Sequence, residues 1–130
     1  VCIFPLGHRF AQFDKISPKH LDNEGLVHSR RDSHFFQTLS ELFRKHSVAP
    51  KQTVETRQFT GACELVSRGV GVSIVSELDA RTYEGRLDFR PFTPNFPHKL
   101  SLVRSIHQTS SMIALDFMEA FKDSLDDLRV

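Results

Sequence analysis

The stretch Gly69-Val70-Gly71-Val72-Ser73-Ile74-Val75 constrains the fold more than any other part of the chain. It follows a segment in which Ala62, Leu65 and Val66 recur at helical spacing, and Gly69 stops that helix as a C-terminal glycine does. The run itself is short, apolar and rich in β-branched residues, Val72, Ile74 and Val75, as suits a strand buried on both faces. Such a strand is covered on both faces, and a sheet covered on both faces needs helices between its strands.

The rest of the chain supplies them. Val1 to Phe4 is an apolar run stopped by Pro5 and Gly7, and the following loop carries Gly7, His8 and Arg9. Ser17-Pro18 opens a single helical turn, and Gly25 to Ser29 is extended. With Asp32 or Ser33 as N-cap, Phe35, Phe36, Leu39, Leu42 and Phe43 predict a helix whose last turn holds Arg44, Lys45 and His46. Thr53 to Arg57 alternates as a strand, and Thr60 caps the helix that Gly69 closes. Ser76 caps a brief helix through Arg81. Leu87 to Phe92 and Leu100 to Val103 are extended, with Pro91, Pro94 and Pro97 marking the connection between them. From Ser110 or Ser111 to Leu128 an amphipathic helix turns Ile113, Phe117, Ala120, Phe121 and Leu125 inward. Strands alternating with helices in this way predict an α/β fold, a mainly parallel sheet flanked by helices.

In open sheets of this class, ligands collect at the carboxyl ends of the strands, where helix N-termini present free N–H groups. Two places qualify. At Ser29, Arg30, Arg31 and Ser33 a strand hands over to a helix, and hydroxyls and guanidinium groups could hold a carboxylate there. The plainer reading is an N-cap with two solvated arginines. Arg57, Gln58, Phe59 and Thr60 form the second handover, where Thr60 is otherwise a cap and Arg57 an exposed strand end.

Other chemistries find little support. A net charge of +1 on 130 residues offers no field for gripping nucleic acid. No apolar run approaches the roughly 20 residues that cross a bilayer, so no membrane partner is expected. Cys2 and Cys63 lack CxxC spacing, which fits a reducing, cytoplasmic setting, and Cys63 reads as a small buried hydrophobe before a redox sensor. The histidines at 8, 20, 28, 34, 46, 98 and 107 form no metal-ligand spacing, and GxSxG is absent, so neither metal, cofactor nor enzymatic activity is expected. Gly69-Val70-Gly71 follows a helix and precedes a strand, the reverse of a dinucleotide loop.

Several stretches, in order, resemble the effector-binding domain of LysR-type transcription regulators. They are Pro5-Leu6-Gly7-His8-Arg9-Phe10-Ala11 after an apolar strand, Ile16 to Leu21, the helix ending in Ser47-Val48-Ala49-Pro50, Glu64 through Val75, Leu87-Asp88-Phe89-Arg90-Pro91-Phe92, and the last helix. Gly7 to Ala11, Asp14 to Pro18, Arg90 to Phe92 and Val103-Arg104-Ser105 are similar to regulators of opine and basic amino-acid catabolism. Ser76 departs from the pattern, standing where many relatives carry Pro.

The resemblance implies a periplasmic-binding-protein-like fold of two α/β subdomains with a small-molecule effector between them. Residues 1–106 would be the second subdomain with its crossover strands, and 107–130 the closing helix of the first. The rest of the first subdomain and an N-terminal winged helix-turn-helix have no counterpart in these residues, and the opening without Met suggests a polypeptide that begins earlier. The implied function is sensing a small anionic metabolite, amino acid or opine-like, in a homodimer or homotetramer that meets DNA through the absent N-terminal part. The handovers at Ser29 to Ser33 and Arg57 to Thr60 are where the family contacts effectors. A solute-binding protein of a transport system shares the architecture and is the alternative.

Overall fold

The computed structural model describes residues 1–95, 101–107 and 109–127, in two units, Val1–His98 and Lys99–Val130. The first unit contains β1 (Cys2–Phe4), β2 (Gly25–Ser29), α1 (His34–Lys45), β3 (Lys51–Thr56), α2 (Phe59–Ser67), β4 (Ser73–Ile74), α3 (Glu77–Arg81) and β5 (Asp88–Arg90). Two 3-10 turns, Arg9–Gln12 and Pro18–Leu21, fill the long connection from β1 to β2.

β2 and β3 pair in parallel, with an irregularity between Leu26 and Val27. β1 lies between β4 and β5 and pairs antiparallel with both, Cys2 opposite Ile74 and Ile3 opposite Phe89. The two groups join where Leu26 bridges Val72 in parallel. There the Val72 N–H donates to Gly25 O at 2.8 Å and the Val27 N–H to Val72 O at 2.9 Å. The order is therefore β3-β2-β4-β1-β5, with β1 running against the other four.

The α/β class stands, but the expectation of a mainly parallel sheet needs correction at β1, whose two ladders are both antiparallel. Cys2, Ile3 and Phe4 are fully buried. A run of three such residues has no pattern that encodes direction; the connection after it does.

The pleat divides the core into two layers. Phe4, Leu26 and Ile74 face Leu39 and Phe43 of α1, Phe10 and Leu21 of the 3-10 turns, and Ile16 between those turns. Ile3, Val27 and Val75 face Ala62, Cys63 and Val66 of α2 together with Ala80 and Leu87. Each large apolar side chain buried this completely stabilises the fold by roughly 1.5–3 kcal/mol.

Helix starts differ in their chemistry. Ser33 Oγ accepts from the Phe36 N–H at 3.1 Å, and Ser76 Oγ accepts from the Asp79 N–H at 3.1 Å. α2 is different. Its cap position is Gln58, with φ −127° and ψ 147° and no capping side-chain bond. Thr60, expected as the cap, sits inside the first turn, because the chain turns helical at Phe59.

In the second unit, α4 spans Met112–Asp127, and Ser111 Oγ accepts from the Ala114 N–H at 3.2 Å. Ser101 to Val103 belongs to no strand; Leu100, Pro97, His98 and Leu128, which also figure in the sequence expectations, lie outside the described residues. The stripe expected to face inward is exposed, with Ile113 at 81% and Phe117 at 59%. Phe117 and Phe121 stack on it at 5.9 Å.

Gly71 is the tightest point of the first unit: a Cβ there would meet Gly25 O at 2.3 Å. Gly71→Ala should lower the unfolding free energy by about 3 kcal/mol, because backbone must move. Gly69→Ala, with φ +82° but open space around it, should cost about 1 kcal/mol. Urea titration of both variants checks the order, and equal losses would contradict the close approach.

Burial pushes the Cys63 thiol up to about 11 and raises Cys2 further. Both are fully buried. Iodoacetamide at pH 8 should therefore modify the native protein at least about 100-fold more slowly than the unfolded one, since the thiolate is the reactive form. Fast native labelling of Cys63 would revive a redox role.

Candidate functional site

β2, β3 and β4 run the same way, so their carboxyl ends open on one edge of the sheet, and each hands over to a helix there. The site is built from those three handovers.

At the first, the two serines are committed to structure. Ser29 Oγ lies 3.2 Å from Ser33 Oγ, and Ser33 Oγ donates to Arg30 O at 2.7 Å while capping α1. Arg30 pairs with Asp32. Arg31 reaches toward β3, with Nη2 donating to Gln52 Oε1 at 3.2 Å and Nε 3.8 Å from Glu55. Both guanidinium groups thus have surface partners, which a ligand carboxylate must displace.

The second handover is less occupied. Arg57 is exposed, with no carboxylate within 4.0 Å among the described residues. Gln58 O is held by the Thr56 hydroxyl at 3.0 Å, and Thr60 O accepts from the Tyr83 hydroxyl at 3.3 Å. These bonds fix carbonyls and leave the first N–H groups of α2 without a capping side chain. A helix N-terminus in that condition is suited to an anion. Phe59 packs edge-on against Phe35 of α1, ring centres 5.1 Å apart, which ties the first two handovers together.

The third handover, Val75-Ser76-Glu77, reads in the sequence as a helix start alone. It lines a cavity of about 450 Å³ with Phe35 and the segment 91–95. None of the eight residues singled out from the sequence lines this space; Phe35 connects it to them. The rule that found the first two sites applies equally to β4, a strand end followed by a capping serine, and would have found this one. Ser76 in place of Pro leaves the turn intact, since its hydroxyl caps α3.

The cavity's far wall is anchored. Phe92 is 7% exposed and pairs with Ile16 in a parallel bridge. Ile16 receives and returns bonds on either side of it: the Ile16 N–H donates to Pro91 O and the Thr93 N–H to Ile16 O, both at 2.8 Å. Arg90 adds Nε to Phe13 O and Nη2 to Ala11 O, both at 3.0 Å.

Among the described residues no group of three or more His, Cys, Asp or Glu side chains is placed to hold a metal ion. No helix there is long and apolar enough to cross a membrane.

Residues 1–126 match the family described as LysR substrate binding domain. The chain is 33% identical over 118 residues to the transcriptional activator protein LysR of Escherichia coli (strain K12), covering 90% of this chain and 38% of that protein. It is 26% identical over 129 residues to the regulatory protein NocR of Agrobacterium tumefaciens (strain T37), covering 98% and 43%. The chain thus spans about two fifths of the length of these relatives.

Among solved structures, the effector-binding domain of QuiR in complex with shikimate superposes with a TM-score of 0.66 at 18% identity, covering 75% of this chain and 46% of that one. The regulatory domain of Synechocystis PCC6803 CcmR in complex with 2-PG gives 0.65 at 18%, covering 92% and 59%. The likeness in fold and the match along nearly the whole sequence agree, and the chain belongs to the LysR substrate-binding domain family.

Proposed function

We propose that this chain is part of the sensing region of a LysR-type transcription regulator and holds a small anionic metabolite, amino acid or opine-like, at the handovers after β2 and β3. The observation that carries the reading is the start of α2, where N–H groups lack a capping side chain beside the unpaired Arg57. The complexes of QuiR with shikimate and CcmR with 2-PG support an anionic effector by likeness. In this reading Arg57, Gln58, Phe59 and Thr60 make the primary wall. Ser29, Arg30, Arg31 and Ser33 make the flank, with Arg30 and Arg31 exchanging their present carboxylate partners for the ligand.

A ligand held in this way regulates only if it binds two arrangements of the protein unequally. The remaining parts of the reading extend the likeness to regulators to the whole protein. The regulator meets DNA through an N-terminal winged helix-turn-helix, acts in the cytoplasm as a homodimer or homotetramer, and carries out no catalysis. Residues 1–106 act as the second sensing subdomain, and 107–130 complete the first. The exposed stripe of Ile113, Phe117, Phe121 and Leu125 supports the latter, since a face of that kind belongs against apolar partners. A solute-binding protein has the same architecture, but the relatives found are regulators.

Thermal-shift screening of the full-length protein against amino acids, opines and aromatic acids tests the ligand class. A true effector at about 100 times its Kd should add roughly 2.7 kcal/mol of stability. Arg57→Ala should raise that ligand's Kd on the order of tenfold or more, as loss of a charge-assisted hydrogen bond does. Arg31→Ala should weaken binding less, because Glu55 and Gln52 already compete for Arg31. Unchanged affinity in both variants would overturn the wall assignment.

A further inference from the structure

We propose that the connection from β1 to β2 is an acid-released strap: His8 and His20 hold its two 3-10 turns closed only while their rings are neutral, and protonation frees residues 8–21 together with the segment that Ile16 clasps.

Each ring serves its turn as an acceptor. His8 stands at the start of the first turn, where Nδ1 accepts from the Phe10 N–H at 3.3 Å. His20 closes the second turn from its other end, with Nδ1 accepting from the Ser17 N–H at 2.9 Å and lying 3.0 Å from Ser17 Oγ. A ring nitrogen that accepts carries no hydrogen, so the proton of each neutral ring sits on Nε2. An imidazolium has a hydrogen on both nitrogens, and protonation therefore sets N–H against N–H at both turns. Turning the rings away is costly, because both cover Phe10, which is fully buried. His8 meets Phe10 edge-on at 4.5 Å and His20 meets it at 6.2 Å, while His20 also packs on Phe13 at 4.5 Å.

The charges around the rings oppose one another. Among the described residues, Glu24 is the one carboxylate within 4.0 Å of either ring, with Oε2 at 3.8 Å from His8 Nε2, and it favours the charged form. Its other oxygen is taken by Arg9, whose Nε donates to it at 2.9 Å and whose guanidinium lies over Phe10 and reaches His20 O at 3.5 Å. Arg90 approaches from β5 and holds Ala11 O and Phe13 O. Burial lowers the His8 pKa below the usual histidine value, Glu24 acts against it and Arg9 adds to it. A histidine lowered on folding stabilises fully above its unfolded pKa, about 6.5, and progressively less as the pH falls below that. The strap thus loosens on the acid side. Slack reaches the cavity wall because Ile16, between the two turns, is bonded to Pro91 O and to the Thr93 N–H.

Hydrogen exchange on the full-length protein, read by mass spectrometry at about pH 7.5 and about pH 5.5 with exposure times scaled to the intrinsic rate, makes the test. α2 and β3 hold no histidine and serve as internal references. Acid should cut the protection of residues 8–21 and 91–93 about threefold or more relative to those references; one ring gives at most about tenfold at one pH unit below its unfolded pKa. Gln keeps an acceptor but does not titrate. His8→Gln combined with His20→Gln should hold protection at the higher pH within about threefold and lose most of the acid effect. Glu24→Gln removes the group that favours the charged ring and should deepen the effect. If the double variant does not fold, the two single ones decide. Equal protection at both pH values, a fall shared equally by the references, or an acid effect undiminished in both His8→Gln and His20→Gln overturns the proposal.

Discussion

One contact holds the sheet together. Between Gly25 and Gly71 two backbones approach so closely that Gly71 tolerates no side chain, and the exchange of hydrogen bonds among Gly25, Val27 and Val72 is what joins β2 to β4. Side chains reinforce the seam: Ser73 Oγ donates to Val27 O at 2.6 Å and Thr53 Oγ1 to Leu26 O at 3.0 Å. Without it, β2 and β3 would form one ribbon and β4, β1 and β5 another, each too small to order a core. The two apolar layers depend on it because residues such as Val27 and Val75 must share a face.

The same seam creates the site. Because it is a parallel contact, it brings the ends of β2, β3 and β4 to one edge and aims three helix starts into one region. Those starts then diverge in chemistry according to a single residue each. Serine at positions 33 and 76 satisfies its own helix. Gln58 does not, and α2 is left with donors to offer. The edge is thus graded in hydrogen bonding.

Much of this was legible in the sequence, and what was not has physical reasons. Gly69, at φ +82°, ends α2 as its position after a helical stripe predicts, and Ser33 caps α1 for the reason that serine caps helices anywhere. Direction was hidden at β1, since three consecutive buried residues look the same from either end. Residue type points to Thr60 as the cap, whereas backbone geometry gives the position to Gln58. Of the candidate site, the strand-to-helix rule points to the Arg57 segment and applies equally to the end of β4. The cavity at that end is not legible in this way, because Phe35 and residues 91–95, which complete it, lie far away in sequence. The stripe of α4 was read correctly as apolar; what covers such a stripe is a tertiary matter that periodicity does not contain.

The bonding around Phe92 has a mechanical consequence. Ile16 clasps the chain on both sides of that ring, and Arg90 ties the strand just before it to the carbonyls of Ala11 and Phe13. Since Ile16 is fully buried, the cavity wall has no slack of its own. A guest too large for the space cannot push Phe92 aside alone; the load passes through Ile16 into the 3-10 turns and the layer that holds Phe10 and Leu21. The wall behaves as a stiff spring with its anchorage in the core, so a snug ligand and an oversized one differ by strain borne well away from where either one sits.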